Sequence, residues 1–306
     1  LWERGLLERA TIAFPDENFY LYRLHPALVV FARERLTDVE TVKENYWKSM
    51  NNLARIAEEE IRKDPLIVQI TMYAVPDLLT AAESRNNEDA ALMQFRVSNV
   101  MQRFGLYDDA LRLLEISRDT NQSLNNQKGK SATLNGMAHI YYIRGNLGEA
   151  MKLLQQSLEI AEGLGDLGGK AVTIDAMARI FVMRGNLDKG LELQMENLAI
   201  AKEINNKREE GNALHEIAYI YQERGDLDDL DMAIKFYQQS LEIFEELGDL
   251  ANKSSALTNM ARILRQRGAF EEAMKLYQQS LDINEGLGYL QGKARNLANM
   301  ASGMCQ

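Results

Sequence analysis

Gly129-Lys130-Ser131 has the residue types that end a phosphate-binding loop, in which backbone amides and a lysine hold the phosphates of a nucleotide. That loop also requires a glycine five positions before Gly129, and the sequence has Leu124 there. The same Gly-Lys pair returns as Gly169-Lys170 and Gly292-Lys293, always at the joint between two repeated segments. A feature that recurs with the repeat is expected to serve the scaffold. The sequence therefore predicts no nucleotide site and no other cofactor in this chain.

Histidine and cysteine give equally little support to metal binding or nucleophilic catalysis. The three histidines, His25, His139 and His215, form no pair at the spacing with which a helix presents two imidazoles to zinc. Cys305 is the single cysteine, so an internal disulfide is excluded, and we expect a packed thiol. No Gly-x-Ser-x-Gly motif occurs. We predict no metal site and no catalytic residue, so the chain is not expected to be an enzyme.

The elements that would have to position any functional side chain are amphipathic helices in pairs. In residues 133–158, apolar residues recur at helical spacing on both sides of Gly145-Asn146, where glycine favours a tight bend. Small residues at Ala138 and Ala150 would let the two helices approach closely. Neither helix can bury its apolar stripe alone, so the pair requires neighbours.

The rest of the chain supplies those neighbours at a fixed interval. A glycine recurs every 40 residues, and the last interval is 43 because residues 228–231 hold an insertion. An alanine recurs at a second position of the same units. The recurring residues are Gly105, Gly145, Gly185, Gly225 and Gly268, and Ala138, Ala178, Ala218, Ala261 and Ala301. This periodicity predicts an array of helical repeats.

These units resemble the tetratricopeptide repeat. The positions of its Trp, Leu, Gly, Tyr, Ala and Phe correspond here to Leu134, Met137, Ala138, Tyr141, Ala150 and Leu154. The closing proline is absent, and the unit containing Gly190 and Gln194 departs furthest from the pattern. At 40 residues the repeat is longer than the usual ~34, a form similar to the arrays of kinesin light chains and of large signalling NTPases. The resemblance covers residues 90–306.

The composition fits a folded protein that recognises other proteins. Apolar residues make up 46% of the 306 residues, and the net charge of -10 argues against nonspecific or direct nucleic-acid binding. No apolar run reaches the roughly 20 residues that span a bilayer, and no signal peptide is evident, so we predict no membrane contact. A single cysteine is what a reducing compartment permits, and we predict a cytoplasmic location.

Residues 1–89 differ from the array, since all four prolines lie there. We expect residues 1–9 to end a helix, residues 10–14 and 19–24 to form two strands, and residues 27–36 to form a helix. This resembles the tail of a winged-helix domain, and residues 22–36 resemble the segment that leads into the repeats of STAND-type NTPases. We expect residues 37–89 to form an irregular helical connector, with new helices opening at Pro65 and Pro76. Residues 90–306 should then form about five helix pairs and a truncated last helix.

The predicted fold is therefore all-α: a right-handed tetratricopeptide α-solenoid preceded by a small winged-helix remnant. The resemblance implies that the first helix of each pair lines a concave face where ligands bind. Carried over by motif position, the partner-binding residues are Phe95, Asn99, Gln102, Arg103, Asn135, His139, Tyr142, Asp175, Arg179, Met183, His215, Tyr219, Gln222, Thr258, Arg262, Arg265 and Arg295. Five of these are arginines and one is an aspartate, which favours an acidic or phosphate-bearing ligand segment.

The function that this resemblance implies is protein or peptide recognition by the sensor region of a STAND-type signalling NTPase. We expect the nucleotide-binding part to precede Leu1 in a longer protein, and self-association to act through that parent. Two alternatives remain open from sequence. One is a stand-alone scaffold similar to kinesin light chain, and the other is an array that regulates a linked caspase-like protease.

Overall fold

The structure, a computed structural model, describes residues 7–13, 18–24, 39–60, 65–287 and 289–304. Two antiparallel strands come first, β1 (Leu7–Ala13) and β2 (Asn18–Leu24), with Leu7 opposite Leu24 and Ala13 opposite Asn18. The predicted hairpin is therefore present, but residues 7–9 belong to β1 and the expectation that they end a helix was wrong. The seven residues of β2 offer a pairing partner to each of these residues, which extends the ladder. The predicted helix of residues 27–36, His25 and Cys305 lie outside the described residues.

Thirteen helices follow in the described part of the chain, and most are joined by turns of only a few residues. They are α1 (Val39–Glu60), α2 (Pro65–Glu83), α3 (Glu88–Arg103), α4 (Tyr107–Ser123), α5 (Gln127–Ile143), α6 (Leu147–Leu164), α7 (Leu167–Met183), α8 (Leu187–Glu203), α9 (Lys207–Arg224), α10 (Leu227–Glu246), α11 (Leu250–Gln266), α12 (Phe270–Gly286) and α13 (Leu290–Met304). From α3 onward they form antiparallel pairs, α3 with α4 through α11 with α12, and α13 follows as a single helix.

Pro76 does not open a new helix, as the sequence predicted, because it lies inside α2. Proline in a helix interior removes one backbone hydrogen bond and ordinarily costs about 3 kcal/mol. Leu78, Ala81 and Ala82, one turn further on, are completely buried. The packing of this apolar face continues the helix through the proline.

The turn inside each pair depends on a residue with positive φ. Gly145 has φ 75°, a left-handed conformation that glycine adopts without steric cost, and it follows directly on the last turn of α5. The next helix begins at once, because the Asn146 side chain accepts a hydrogen bond from the Glu149 backbone amide. The sequence Gly-Asn thus ends one helix and caps the next.

Small residues hold the helices of each pair close together. Ala138, Ala178 and Ala218 are at most 1% exposed, and Ser157 is completely buried, with its hydroxyl 2.7 Å from that of Ser131. The first helices of consecutive pairs, such as α3, α5 and α7, also contact one another directly, and the second helices do so far less. The array therefore curves toward its first helices, which line the inner face of the α-solenoid.

None of the helices described is long and apolar enough to cross a membrane.

A cavity-forming substitution tests this packing. Leu257 on α11 is 2% exposed, whereas Leu227 at the start of α10 is 75% exposed. We expect Leu257→Ala to lower the free energy of unfolding by about 2–5 kcal/mol, because it removes buried methyl groups and leaves a cavity. Leu227→Ala should change it by less than about 0.5 kcal/mol. Urea unfolding followed by circular dichroism measures both, and equal effects would contradict this packing.

Candidate functional site

A groove of about 510 Å³ runs along the inner face of the array, across α3, α5 and α7. These are the first helices of three consecutive pairs, and each contributes side chains at equivalent repeat positions. Eight of the predicted partner-binding residues line it together: Phe95, Asn99, Gln102, Asn135, His139, Tyr142, Asp175 and Arg179. We call this surface, with the residues between them, the groove.

The floor of the groove is apolar and formed by small residues. Gly136 and Ala176 stand 40 residues apart at the same repeat position, and Val172, beside them, is 48% exposed. A side chain at Gly136 would have its Cβ 3.1 Å from Leu114 and 3.5 Å from Phe95, so glycine here deepens the floor. The combination gives an open apolar surface between polar walls, the usual composition of a ligand site.

The polar residues of the walls are held by bonds between neighbouring units. The Asn135 amide nitrogen lies 3.0 Å from the Thr173 hydroxyl, which joins α5 to α7. The His139 ring donates from Nδ1 to Gln102 Oε1 at 2.7 Å, which joins α5 to α3. The protein around His139 lowers the pKa of the ring, and the charge of Arg179 lowers it further. The hydrogen bond thus orients Gln102 and His139 relative to each other at the groove surface.

Arg179, at one end of the groove, is already paired with acidic residues. Its guanidinium lies 3.2 Å from Asp175 and 3.0 Å from Glu216, and Asp175 raises the pKa of Arg179 most. The positive charge that the sequence assigned to this position is therefore cancelled locally. Counting arginines by motif position overlooked Glu216, which lies on the next first helix, α9.

Three other predicted residues line a separate cavity of about 300 Å³ between the two ends of the array. Arg103 on α3 and Arg295 on α13 both line it, so the superhelix brings its first and last units near each other. Thr258 belongs to the same cavity but is only 5% exposed. Its hydroxyl is engaged with Ser280 at 2.8 Å and Asn296 at 2.9 Å. The expectation that Thr258 stands exposed on the inner face was therefore wrong.

The remaining predicted residues lie beyond the groove, on α7, α9 and α11. His215 is partly buried, packs edge-on against Tyr237 with ring centres 5.1 Å apart, and accepts from the Asn259 amide at 3.3 Å. Gln222 accepts from the Tyr237 hydroxyl at 3.1 Å. These contacts give His215 and Gln222 a structural role. Met183, Tyr219, Arg262 and Arg265 keep part of their surface exposed.

Four polar residues at the end of the groove were missed by the motif positions. Gln194 and Asn197 are almost completely buried on α8, and Glu209 and Glu216 lie on α9. The sequence did carry a signal for them. Each stands where the preceding unit has a small or apolar residue, namely Leu154, Ser157, Gly169 and Ala176.

The glycines of the apparent phosphate motif have a packing role. Gly129 lies in the first turn of α5, and a Cβ there would come within 2.2 Å of the Asn121 side chain. Gly292 has the same relation to Asn284, at 2.7 Å. Glycine lets an asparagine of the preceding helix lie against the start of the next first helix.

Paired helices stacked into a curved array with a groove on the inner face define a helical-repeat protein. The family model of the tetratricopeptide repeat matches residues 89–163 and 226–286. These two segments, 136 of the 306 residues, are tetratricopeptide repeats, and the helices between them continue the same α-solenoid fold. No curated protein matches it by sequence.

Solved structures with the same fold include sensors and peptide complexes. A STAND (Signal Transduction ATPase with Numerous Domains) protein with a tetratricopeptide repeat sensor, from Pyrococcus horikoshii, has a TM-score of 0.60 at 18% identity. The match covers 99% of this chain, which spans 48% of the length of that protein. NprR in complex with its cognate peptide NprX has a TM-score of 0.66 at 13% identity, covering 89% of this chain and 77% of NprR. A Rap protein complexed with Competence and Sporulation Factor has a TM-score of 0.62 at 12% identity, covering 86% and 87%.

The partly buried imidazole of His215 predicts a specific pH dependence of stability. Burial lowers the pKa of His215 to about 4, and Arg179 contributes to the lowering. In the unfolded chain the pKa of a histidine is about 6.5. Between these two pKa values His215 is therefore protonated in the unfolded state and neutral in the folded state. Stability therefore falls as the pH falls, and His215→Gln removes this effect. Between about pH 7 and pH 5, the wild type should lose about 2 kcal/mol relative to the variant.

Urea unfolding of both proteins at each pH measures this difference. Burial raises the pKa of Glu209 and of Glu216, so these two groups increase the free energy of unfolding of the protein as the pH falls. Their contribution occurs in wild type and variant alike and cancels in the comparison. A difference that stays constant with pH would show that the folded protein accepts a protonated His215.

Proposed function

We propose that the groove binds a peptide segment of a partner protein or a free peptide. The observation that carries this is the joint presence of an open apolar floor and polar side chains fixed at repeat spacing on three successive helices. Asparagine and glutamine amides pair with the backbone of any extended segment, whereas the floor accepts an apolar side chain.

The dimensions of the groove fit a short extended segment. Packed helices lie roughly 8–10 Å apart, so crossing from α3 to α7 covers about 20 Å. An extended chain advances about 3.3 Å per residue, so roughly six residues lie in the groove. NprR and the Rap protein have this fold in complex with a peptide and with Competence and Sporulation Factor, respectively. Their shared architecture supports a peptide ligand for this chain.

We further propose that the array is the ligand-sensing, autoinhibitory region of a cytoplasmic STAND-type signalling NTPase. The similarity to the Pyrococcus horikoshii protein extends over nearly this whole chain, including the region of the hairpin that we interpret as part of a winged helix. In such a sensor, ligand binding would shift the parent protein toward an active oligomer by favouring one curvature of the array. The gene sequence on both sides of this chain tests the proposal. An upstream phosphate-binding loop supports it, whereas a downstream Cys-His protease or no linked domain would favour the two alternatives.

A polar substitution in the floor should weaken peptide binding. Val172 in the groove is 48% exposed, and Leu92 on α3 is 47% exposed and lies outside the groove residues. We expect Val172→Gln to lower affinity about tenfold, because it removes the apolar contact of a ligand side chain, worth about 1.4 kcal/mol. Leu92→Gln makes the same kind of change elsewhere and should leave affinity unaltered.

The probes for this measurement are peptides selected on the wild-type chain from a library of short randomised sequences. Fluorescence anisotropy of the labelled peptides gives the dissociation constants for wild type and both variants. Equal losses in the two variants, or none in Val172→Gln, would place the binding surface outside the groove.

An acidic ligand segment remains our proposal for the basic part of the inner face, on α11. Arg262 and Arg265 lie there close enough to Tyr277 for their charges to act on it: burial raises the pKa of that phenol, and both arginines oppose the rise. Arg262→Glu and Arg265→Glu should each weaken a bound acidic peptide about tenfold or more, and should favour its charge-reversed counterpart. Anisotropy with labelled oligoglutamate and oligolysine tests this. Affinities that both variants leave unchanged would remove the proposal.

A further inference from the structure

The third helix pair, α7 with α8, together with the following helix α9, holds a polar cluster that the other units lack. It comprises Asp175, Arg179, Gln194, Asn197, Glu209 and Glu216, which we call the Asp175 cluster. Gln194, Asn197 and Glu209 replace leucine, serine and glycine of the preceding unit, and Glu216 replaces alanine. Gln194 and Asn197 are buried, and Glu209 and Glu216 are partly buried. Buried polar groups reduce stability unless they are paired, so these replacements at one place require a reason beyond packing.

Hydrogen bonds connect the cluster from α7 through α8 to α9. The Gln194 amide donates to Asp175 Oδ1 at 2.8 Å, and the Asn197 amide donates to Glu209 Oε1 at 3.2 Å. Gln194 is 1% exposed and Asn197 is completely buried. The amides of α8 therefore hold the carboxylates of Asp175 and Glu209 in place.

The cluster contains more negative charge than its own residues neutralise. The guanidinium of Arg179 contacts the carboxylates of Asp175 and Glu216, and its charge also acts on Glu209 without a direct contact. Burial raises the pKa of Glu216, and Asp175 and Glu209 raise it further despite the opposing charge of Arg179. Burial and the charge of Asp175 likewise raise the pKa of Glu209. An additional cation would stabilise all three carboxylates.

Two buried polar atoms of the cluster also lack partners within the described part of the chain. The Asn197 side-chain oxygen accepts no hydrogen bond, and Arg179 Nε has no acceptor. Buried polar groups in folded proteins ordinarily have a hydrogen-bond partner, either protein or an ordered water, and a bound ligand can take the place of that water. A basic residue of a peptide carries what is missing: its side chain supplies positive charge and N–H donors, and its backbone carbonyl is an acceptor for Arg179 Nε.

The cluster stands where a segment lying in the groove would reach it. Asp175 and Arg179 line the groove itself. Its floor follows one repeat position through Gly136 and Ala176, and the next residue at that position is Glu216. The small, apolar floor thus gives way to a carboxylate that is paired with Arg179 at 3.0 Å.

From these observations we propose that the Asp175 cluster is the specificity pocket for a lysine or arginine side chain of the peptide bound in the groove. This inference rests on the proposed peptide-binding function and names the chemistry of one subsite. It concerns α7–α9 and leaves the acidic segment proposed for Arg262 and Arg265 on α11 unaffected. A peptide with a basic residue at one end and acidic residues toward the other would be held in one direction.

The test measures residue preference at each position of a randomised short-peptide library retained by the whole chain. The wild type should enrich lysine or arginine at one position. Asp175→Asn and Glu216→Gln each remove one negative charge with little change of shape, and each should reduce that enrichment by about fivefold to tenfold. Glu192→Gln is the matched control, because Glu192 on α8 is 66% exposed and pairs with the nearby Lys189 on the surface.

Each outcome decides between the proposals. Basic enrichment that falls in both cluster variants and persists in Glu192→Gln supports the inference. Peptides retained without basic preference, or a preference that both cluster variants keep, would overturn it and leave the groove function intact. A library that the wild-type chain fails to retain would overturn both. Circular dichroism confirms that each variant is folded, and either of the two cluster variants alone suffices for the comparison.

Discussion

The direct contact between first helices of consecutive pairs is the constraint on which the rest of the structure depends. Each isolated pair would leave one apolar stripe exposed to water, and the neighbouring pair covers that stripe. Alanine at positions such as Ala138 and Ala178 lets the two helices of a pair approach closely. The first helices of consecutive pairs contact one another and the second helices do so far less, so the inner side of the array is shorter than the outer side. Curvature follows from that difference, and the groove is the concave surface that curvature produces.

Eight of the predicted residues lie together in the groove because the groove repeats with the fold. A residue such as Asn135 and its equivalent Asp175 occupy the same helical position, so a 40-residue interval brings both to one surface without any knowledge of coordinates. The prediction that Pro76 opens a helix was wrong because it used a local rule in place of the repeat pattern. Helix propensity is a local rule, and the buried residues Leu78 and Ala82 outweigh it through contacts that are distant in sequence. The prediction for Thr258 was wrong because it was carried over from the repeat position alone. In this unit Ser280 and Asn296 form hydrogen bonds with the Thr258 hydroxyl.

The net charge of the inner face was the property that could be inferred least well from motif positions. The expected excess of arginine on the inner face counted side chains one at a time, but electrostatic potential depends on pairs. Arg179 is the clearest example, because Asp175 one turn away and Glu216 on the next unit both contact it. Glu216 was absent from the expected set since its equivalents, Gly136 and Ala176, are small and carry no charge. A departure from the repeat was therefore more informative here than agreement with it.

The third helix pair and the helix after it combine the poorest agreement with the repeat and the richest polar chemistry, and a common physical cause connects the two. An array gains stability from uniform apolar contacts, so replacing Leu154 and Gly169 of one unit by Gln194 and Glu209 of the next weakens that joint relative to its neighbours. A ligand that supplies the missing charge and hydrogen bonds strengthens it again. Because the joint lies in the middle of the array, stiffening it changes how both halves are oriented, which is the property a ligand sensor requires.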